Sequence, residues 1–314
     1  MRTLPLDLPE PQEEALEAAW LGAYGELHQN VREAITALPG YFRTETTIAG
    51  ITATDIHTLN TVLGATIEEQ VVRVLNSMRP IWDPEEQHLD LHFVRQAQTN
   101  PDVLLRRIGS TAREDIVLGI ELKGWYLLAK EGEPSLRFVV TRAACAPQDL
   151  VAVVPWALSN VISGTPIAYT PWIRSARYCA DMRNHYWQVL RNCNQEIDRC
   201  ITAPQNVAPY PAKSDRISDI PASDSGGNFG RLARTGVMGA YTTAMLETPL
   251  CGIPVRYWLA FFKAFRDNAT ADQIRGDLDR LARSVAAAAP EDPRRIAVEQ
   301  IVEAVTLLLE GQQD

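Results

Sequence analysis

Three side chains that could act together in catalysis lie on two neighbouring apolar segments of this 314-residue sequence. Asp102 directly precedes the apolar run 103–105, and Glu121 and Lys123 come at the end of the run 116–120. Both runs are short and rich in aliphatic residues, so they predict the two strands of a β-hairpin. Because Asp102 would start one strand and Glu121 would end the next, we expect both carboxylates at the same end of that hairpin.

These residue types suit the metal-dependent hydrolysis of phosphodiesters. Glu121 and Lys123 are two positions apart, so they leave the same face of a strand, while Leu122 points to the opposite, packed face. One or two carboxylates and a substrate phosphate are enough to bind Mg²⁺, which keeps several of its waters. We therefore predict that Asp102 and Glu121 bind the metal, and that Lys123 orients the attacking water and offsets negative charge in the transition state.

The same short pattern also has a purely structural interpretation. An acidic residue, any residue and a lysine occur together by chance in most proteins, and on an edge strand both charges would be solvated. Three features favour catalysis: a proline precedes Asp102, an apolar run precedes Glu121, and only one glycine follows Lys123 as a turn signal, so the strand can continue past the charges. A strand that continues past Lys123 would bury this lysine, which then needs a partner or a function.

Pro101-Asp102 and Glu121-Leu122-Lys123 together resemble the motif of the PD-(D/E)xK nuclease superfamily, and within it the type II restriction endonucleases. The resemblance covers roughly residues 60 to 160. It implies an α/β fold with a restriction-endonuclease-like core, in which helices flank a mixed central sheet. It also implies Mg²⁺ as cofactor, with Mn²⁺ as a substitute, and double-stranded DNA as partner. A helix that carries a glutamate precedes the hairpin in that family.

We identify this helix with the segment 66–79, which stops at Pro80. Thr66 and Glu69 have the spacing of a capping box, which predicts that Glu69 caps the helix N-terminus. The apolar stripe of the segment passes beside Glu68, whereas Glu69 points away from it. We therefore expect Glu68 to join the catalytic site, with Glu69 as the alternative.

Composition and charge limit the classes of function. Hydrophobic residues make up 46% of the chain and charged residues 22%, as in an ordinary globular protein. No run approaches the roughly 20 apolar residues that span a bilayer, so no membrane partner is expected. Five scattered cysteines show no zinc-ligand spacing, which favours reduced thiols in a bacterial cytoplasm. The net charge of −9 argues against nonspecific coating of nucleic acid but permits a sequence-specific enzyme with a positive cleft.

The chain is expected to have four regions. These are an N-terminal helical region (1–60), the nuclease core with a following long helix (61–200), a loop with possible DNA contact (201–235) and a C-terminal helical region (236–314). Apolar spacing predicts a helix over 10–38 that ends at Pro39-Gly40, and further strands at 136–141 and 149–156. The C-terminal helices would pack on the core or on a second subunit, and a symmetric homodimer would supply two sites for two DNA strands.

An arginine-rich segment is one candidate DNA contact. A helix predicted over about 173–200 carries Arg174 and Arg177. Over the catalytic cleft, these arginines would contact phosphates. The structural alternative is core packing, with the long arginine stems laid along apolar surface.

The loop 201–235 is a second candidate. Asn228, Arg231 and Arg234 stand among glycines that let a backbone approach closely, and Asn suits an adenine edge as Arg suits a guanine edge. Long irregular loops in compact domains usually have a use. The structural alternative is a flexible linker to the C-terminal helices.

The expected function is therefore that of a Mg²⁺-dependent, sequence-specific DNA endonuclease of the type II restriction class. Two alternatives stay open: a repair or structure-specific nuclease of the same superfamily, and a non-enzymatic helical interaction protein. The geometry of Asp102, Glu121 and Lys123 distinguishes an enzyme from the last of these. Their polar ends converge in a catalytic site and diverge into solvent in an interaction protein.

Overall fold

The computed structural model of the protein describes residues 8–52, 59–96, 99–193, 195–265, 268–288 and 293–310. The fold is α/β, with a mixed central sheet. The helices are α1 (Ala18–Tyr41), α2 (Leu59–Ser77), α3 (Arg79–Trp82), α4 (Ala176–His185), α5 (Gly239–Leu246), α6 (Val255–Ala264), α7 (Ala271–Ala288) and α8 (Pro293–Glu310). The strands are β1 (Leu91–Arg95), β2 (Val103–Arg107), β3 (Ile116–Tyr126), β4 (Leu150–Leu158), β5 (Pro166–Ala168), β6 (Trp172–Ser175), β7 (Ile201–Thr202), β8 (Ile220–Pro221), β9 (Pro249–Leu250) and β10 (Ile253–Pro254).

Strands β1 to β6 form one six-stranded sheet. β1, β2 and β3 follow one another as an antiparallel meander, and β3 then pairs with β4 in parallel. On its other side, β4 pairs antiparallel with β6 near its start and with β5 near its end. The sequence-based expectation of an α/β fold with a mixed central sheet is therefore confirmed.

The predicted hairpin and the strand over 149–156 are confirmed. Val103 pairs with Ile120 and Leu104 with Gly119, and every residue of β4 is buried, as is typical of a strand covered on both faces. β3 continues past 120 as far as Tyr126. Glu121 and Lys123 therefore lie in the middle of an inner strand rather than at its end.

The strand predicted over 136–141 is wrong. Only isolated bridges form there, between Arg137 and Arg231 and between Val140 and Ser218. Leu136, Phe138 and Val140 are nevertheless buried, so the alternating pattern reflects burial against the core. Alternate burial gives a strand-like sequence without a continuous partner strand.

The boundaries of the first two helices differ from the prediction. α1 begins at Ala18 and continues through Pro39 to Tyr41. α2 begins at Leu59, so Thr66 lies inside it and the predicted capping box is wrong. Buried Leu59 and Leu63 extend the apolar stripe of this helix toward its N-terminus. Packing against the core therefore overrides the local capping signal.

The long helix predicted over 173–200 is also wrong. Trp172–Ser175 forms β6, because this apolar start fills the free edge of β4. Ser175 then caps α4, and its hydroxyl accepts a hydrogen bond from the backbone N–H of Tyr178 at 3.4 Å. A π-helical turn follows over Tyr186–Leu190, and the chain leaves the helix at Arg191.

The expected helical C-terminal part is confirmed by α6, α7 and α8. These helices share a second apolar cluster, which includes buried Tyr257, Leu278, Val285 and Val302. The amphipathic spacing predicted from the sequence is what builds this cluster. Within the described residues, no helix has both the length and the apolar character needed to cross a membrane.

Candidate active site

The hairpin brings the two predicted metal ligands together. Asp102 directly precedes β2, and the pairing of Val103 with Ile120 places it next to Glu121 on β3. The Oδ2 atom of Asp102 accepts a hydrogen bond from the backbone N–H of Leu122 at 3.0 Å. This bond fixes the Asp102 carboxylate to the neighbouring strand.

Helix α2 contributes the third carboxylate. It packs against β3, and its Glu68 Oε1 lies 4.0 Å from the Nζ of Lys123. The backbone N–H of Gly124 also donates to Glu68. Glu69 instead points outward and pairs with Arg73 at 2.6 Å on the exposed face of the helix. Of the two glutamates, the structure brings Glu68 to the hairpin.

The carboxylates are costly to ionise in this position. Burial is the largest cause that raises the pKa of Asp102 to about 6, and the charge of Glu68 adds to it. Burial also raises the pKa of Glu121 to about 8, with further contributions from Asp102 and Glu68. The nearby Lys123 charge opposes the rise at all three carboxyls. Burial and the like charge of neighbouring carboxylates therefore outweigh the nearby positive charge.

Glu121 has the largest rise in pKa of these carboxyls and an oxygen without a described hydrogen-bond partner. Its Oε2 is buried and has no hydrogen-bond partner among the described residues, although the backbone N–H of Asp102 favours its charged form. A buried carboxylate oxygen with no partner costs free energy unless another group binds it. Oxygen donors of this kind are what a hard divalent cation prefers.

The donor set fits a cation that keeps most of its waters. Among the described residues, no group of three or more His, Cys, Asp or Glu side chains is already arranged to hold a metal. Mg²⁺ usually binds through one or two carboxylates plus substrate phosphates rather than through a complete protein cage. Asp102 and Glu121 supply that smaller set.

A buried network supports the hairpin from β4. Asp149 precedes this strand, and its carboxylate accepts hydrogen bonds from the backbone N–H groups of Gly119 and Ala146, each at 2.7 Å. The hydroxyl of Tyr210 donates to the same carboxylate at 2.9 Å. Burial raises the pKa of Asp149 to about 6, against the effect of these bonds.

Gly119 is the point of closest approach in this support. A Cβ atom there would lie 2.5 Å from the Pro101 Cγ and 2.9 Å from the Asp149 Oδ1. Only glycine leaves room for both neighbours, so it sets the distance between β3 and the residue before Asp102. Sequence reasoning missed Gly119 and Asp149. The signals available in the sequence were a glycine inside the apolar run 116–120 and an aspartate directly before the apolar run that starts at Leu150.

The arginines that were predicted to contact phosphates lie on two different elements. Arg174 is on β6 and Arg177 is on α4. Arg177 pairs with Glu14 at 3.1 Å, and Arg174 lies 3.9 Å from Glu13. Both arginines are therefore next to an acidic N-terminal segment in the free protein.

The predicted base-reading residues are held by contacts within their own loop and by one ion pair with Glu133. The Nδ2 of Asn228 donates to the Ser225 carbonyl at 2.6 Å, and the Nε of Arg231 donates to the Gly227 carbonyl at 3.3 Å. Arg234 donates to Asn228 and pairs with Glu133 at 3.1 Å. None of these described contacts is with the hairpin carboxylates or Lys123.

Arg137 anchors this loop to the rest of the protein. Arg137 donates to the carbonyl of Phe229 at 2.9 Å and to the Asp224 carboxylate at 2.5 Å. The side chain of Phe229 is fully buried and packs edge-on against Trp187. This segment of the loop is thus fixed to the body of the protein, unlike a flexible linker.

No protein-family model, curated protein or solved structure matches this chain.

Proposed function

We propose that the protein is a Mg²⁺-dependent endonuclease that hydrolyses phosphodiesters in double-stranded DNA. The observation that carries this proposal is the partly buried pair Asp102 and Glu121 beside Lys123, with a Glu121 oxygen that has no hydrogen-bond partner among the described residues. Strongly perturbed carboxyls that neighbour a lysine are typical of functional sites. A stable fold alone gains nothing from such an arrangement, because the like charges repel.

The position of the strand favours catalysis over a solvated charge pair. β3 lies between β2 and β4, so it is an inner strand and not an edge strand. The side chain of Lys123 is 32% exposed and that of Glu68 is 18% exposed. These charges are therefore partly withdrawn from water, where electrostatic interactions with a reacting group are stronger.

Each residue has a distinct role in this proposal. Asp102 and Glu121 would hold Mg²⁺, with Mn²⁺ as a substitute. When bound, the cation supplies Lewis acidity and a more acidic water. Lys123 would orient the attacking water and place its positive charge beside the phosphate as negative charge develops. Glu68 would keep the Lys123 ammonium at the site.

The finer assignment is to the type II restriction class. α2, the antiparallel meander β1 to β3 and the parallel strand β4 support a restriction-endonuclease-like core, in the order expected from the resemblance. In this proposal the enzyme acts as a homodimer in a bacterial cytoplasm, so that two sites cut two strands. The exposed residues Ile296 and Leu307 on α8 are available to such a contact.

A cleavage assay tests the proposal. The protein is incubated with a long double-stranded DNA in Mg²⁺, in Mn²⁺ and in a chelator, beside the variant Glu121→Gln and the matched control Glu69→Gln. We expect discrete fragments with either metal, none with the chelator or with Glu121→Gln, and normal fragments with Glu69→Gln. Cleavage without discrete fragments would favour a repair or structure-specific nuclease. Cleavage by Glu121→Gln at the wild-type rate would overturn the site.

A further inference from the structure

An acidic segment covers three arginines on one surface of the protein. The Glu14 Oε2 accepts hydrogen bonds from the Arg142 Nη2 at 2.8 Å and the Arg177 Nη1 at 3.1 Å. The Glu13 Oε1 lies 3.9 Å from the Nε of Arg174. These two adjacent carboxylates therefore neutralise positive charge that comes from three different parts of the fold.

The segment that carries them has few further described contacts, among them a long hydrogen bond of 3.4 Å from the backbone N–H of Ser175 to the Glu13 Oε1. Residues 8–17 form neither helix nor strand before α1 begins. Glu13 and Glu14 are each nearly half exposed, with side-chain exposures of 44% and 47%. Ion pairs at such exposed positions are individually weak, so another anion can displace them.

The arginines are more firmly fixed than the segment. Arg142 also pairs with Asp181 at 3.1 Å, and the Arg177 Nε donates to the Cys145 carbonyl at 3.0 Å. Arg174 extends from β6, which is part of the central sheet, and its Nη1 donates to the Ile173 carbonyl at 3.1 Å. The three guanidinium groups are therefore held by the body of the protein, and they remain when the segment leaves.

The sheet register places this surface near the candidate active site. Glu121 pairs with Val151 on β4, and Val151 pairs with Arg174 on β6. Residues in one such row point to the same face of a sheet, and two strand spacings separate Glu121 and Arg174 by about 10 Å. A DNA strand rises about 3.4 Å per nucleotide along the duplex axis, so a separation of about 10 Å keeps the arginines within a few nucleotides of the scissile phosphate.

We propose that Arg142, Arg174 and Arg177 bind the DNA backbone beside the scissile phosphate, and that residues 8–17 occupy this surface in the free protein. The Glu13 and Glu14 carboxylates stand where two phosphates bind. Guanidinium groups bind phosphates and carboxylates in the same forked geometry, so one anion can replace the other. The choice of DNA as the ligand rests on the proposed nuclease function.

The N-terminal segment then acts as an internal competitor. DNA must displace two carboxylates before it gains the arginine contacts, which lowers the affinity for any duplex. The loss is greatest for weakly held, nonspecific DNA, because binding of that kind depends almost entirely on phosphate contacts. An acidic protein would thereby keep this arginine surface covered until DNA is bound.

The test compares two charge-matched double variants of the full chain. Glu13→Gln/Glu14→Gln removes the competitor, and Glu26→Gln/Glu85→Gln removes two exposed negative charges outside the segment, at positions with no described arginine partner. Binding of a random duplex is measured without divalent metal over a range of salt. We expect about tenfold tighter binding by the first variant at low salt, with a steeper salt dependence, and little change in the second.

Adding Arg142→Ala and Arg174→Ala to the first variant should remove that gain. Equal tightening in both charge-matched variants would reduce the effect to net charge, and the inference would fail. It would also fail if the first variant binds like the wild type, or if the gain survives loss of the arginines. Tighter binding of an acidic peptide but not of DNA would assign the surface to a protein partner.

The outcome is separate from that of the cleavage assay. A wild-type enzyme that cuts DNA, with no gain in the first variant, would overturn this inference alone. A protein that gains affinity in the first variant but never cuts would overturn the nuclease proposal alone.

Discussion

The carboxylate of Asp102 accepts a hydrogen bond from the backbone N–H of Leu122, at 3.0 Å across two strands. Leu122 lies between Glu121 and Lys123, so this one bond fixes the distance of Asp102 from both residues. The peptide group that the bond orients belongs to an inner strand of the sheet. The catalytic proposal therefore depends on a rigid element rather than on a loop.

Glu121→Gln should abolish cleavage without unfolding the protein. Burial and two neighbouring carboxylates already disfavour the charged form of Glu121, so a neutral amide of the same size fits the site. We expect a loss of at least about a thousandfold in rate, as is common when a preorganised charged group is removed. The free energy of unfolding, measured in urea without metal, should not fall. A folded variant that keeps its rate would contradict the assignment.

Lys123→Ala should lower the cleavage rate by orders of magnitude and change DNA affinity little. The reason is that its ammonium is proposed to act on the water and the developing charge, which matter in the transition state. Single-turnover cleavage and metal-free binding separate the two effects. A loss confined to binding would reassign Lys123 to a backbone contact.

Gly119→Ala should disturb the site, whereas Gly124→Ala on the same strand should not. The new Cβ at position 119 would lie 2.5 Å from the Pro101 Cγ, while at 124 the nearest atom is at an ordinary 3.5 Å. We expect Gly119→Ala to lower the free energy of unfolding by about 1–3 kcal/mol and to slow cleavage. Urea denaturation and cleavage rates of both variants check this. Equal behaviour of the two alanines would contradict it.

Asp149 should make stability depend on pH. Its pKa is raised from 3.8 to about 6 by burial, so its contribution to stability is fully present below 3.8 and is lost as pH rises through 6. The expected loss is up to about 3 kcal/mol, from the conversion of pKa shifts to free energy. Asn at this position does not titrate. The difference in unfolding free energy between wild type and Asp149→Asn should therefore fall between pH 4 and pH 7, and a constant difference would refute the prediction.

Arg231→Ala tests sequence recognition by the loop 201–235. A bidentate pair between arginine and guanine is worth roughly 1–3 kcal/mol of discrimination. If Arg231 reads a base, its loss should weaken binding to the cleaved sequence by that amount and binding to random duplex much less. Equal losses on both duplexes would make Arg231 a phosphate contact, and no loss would leave it a structural residue of the loop.

The sequence by itself determined the local elements of the site. The apolar runs around Asp102, Glu121 and Lys123 were sufficient to predict the hairpin, because a hairpin joins segments that are close in the chain. The stripe on α2 likewise separated Glu68 from Glu69. These features depend on residue types and on the periods of helix and strand, which are visible without any long-range contact.

The tertiary structure decided what supports and what covers that site. Asp149 meets Gly119 only because β4 pairs in parallel with β3, and Glu14 meets Arg177 across more than half of the chain. The early start of α2 at Leu59 also comes from burial against partners that no local pattern reveals. Contacts between distant segments depend on how the sheet is assembled, and packing outweighs local preference wherever the two disagree.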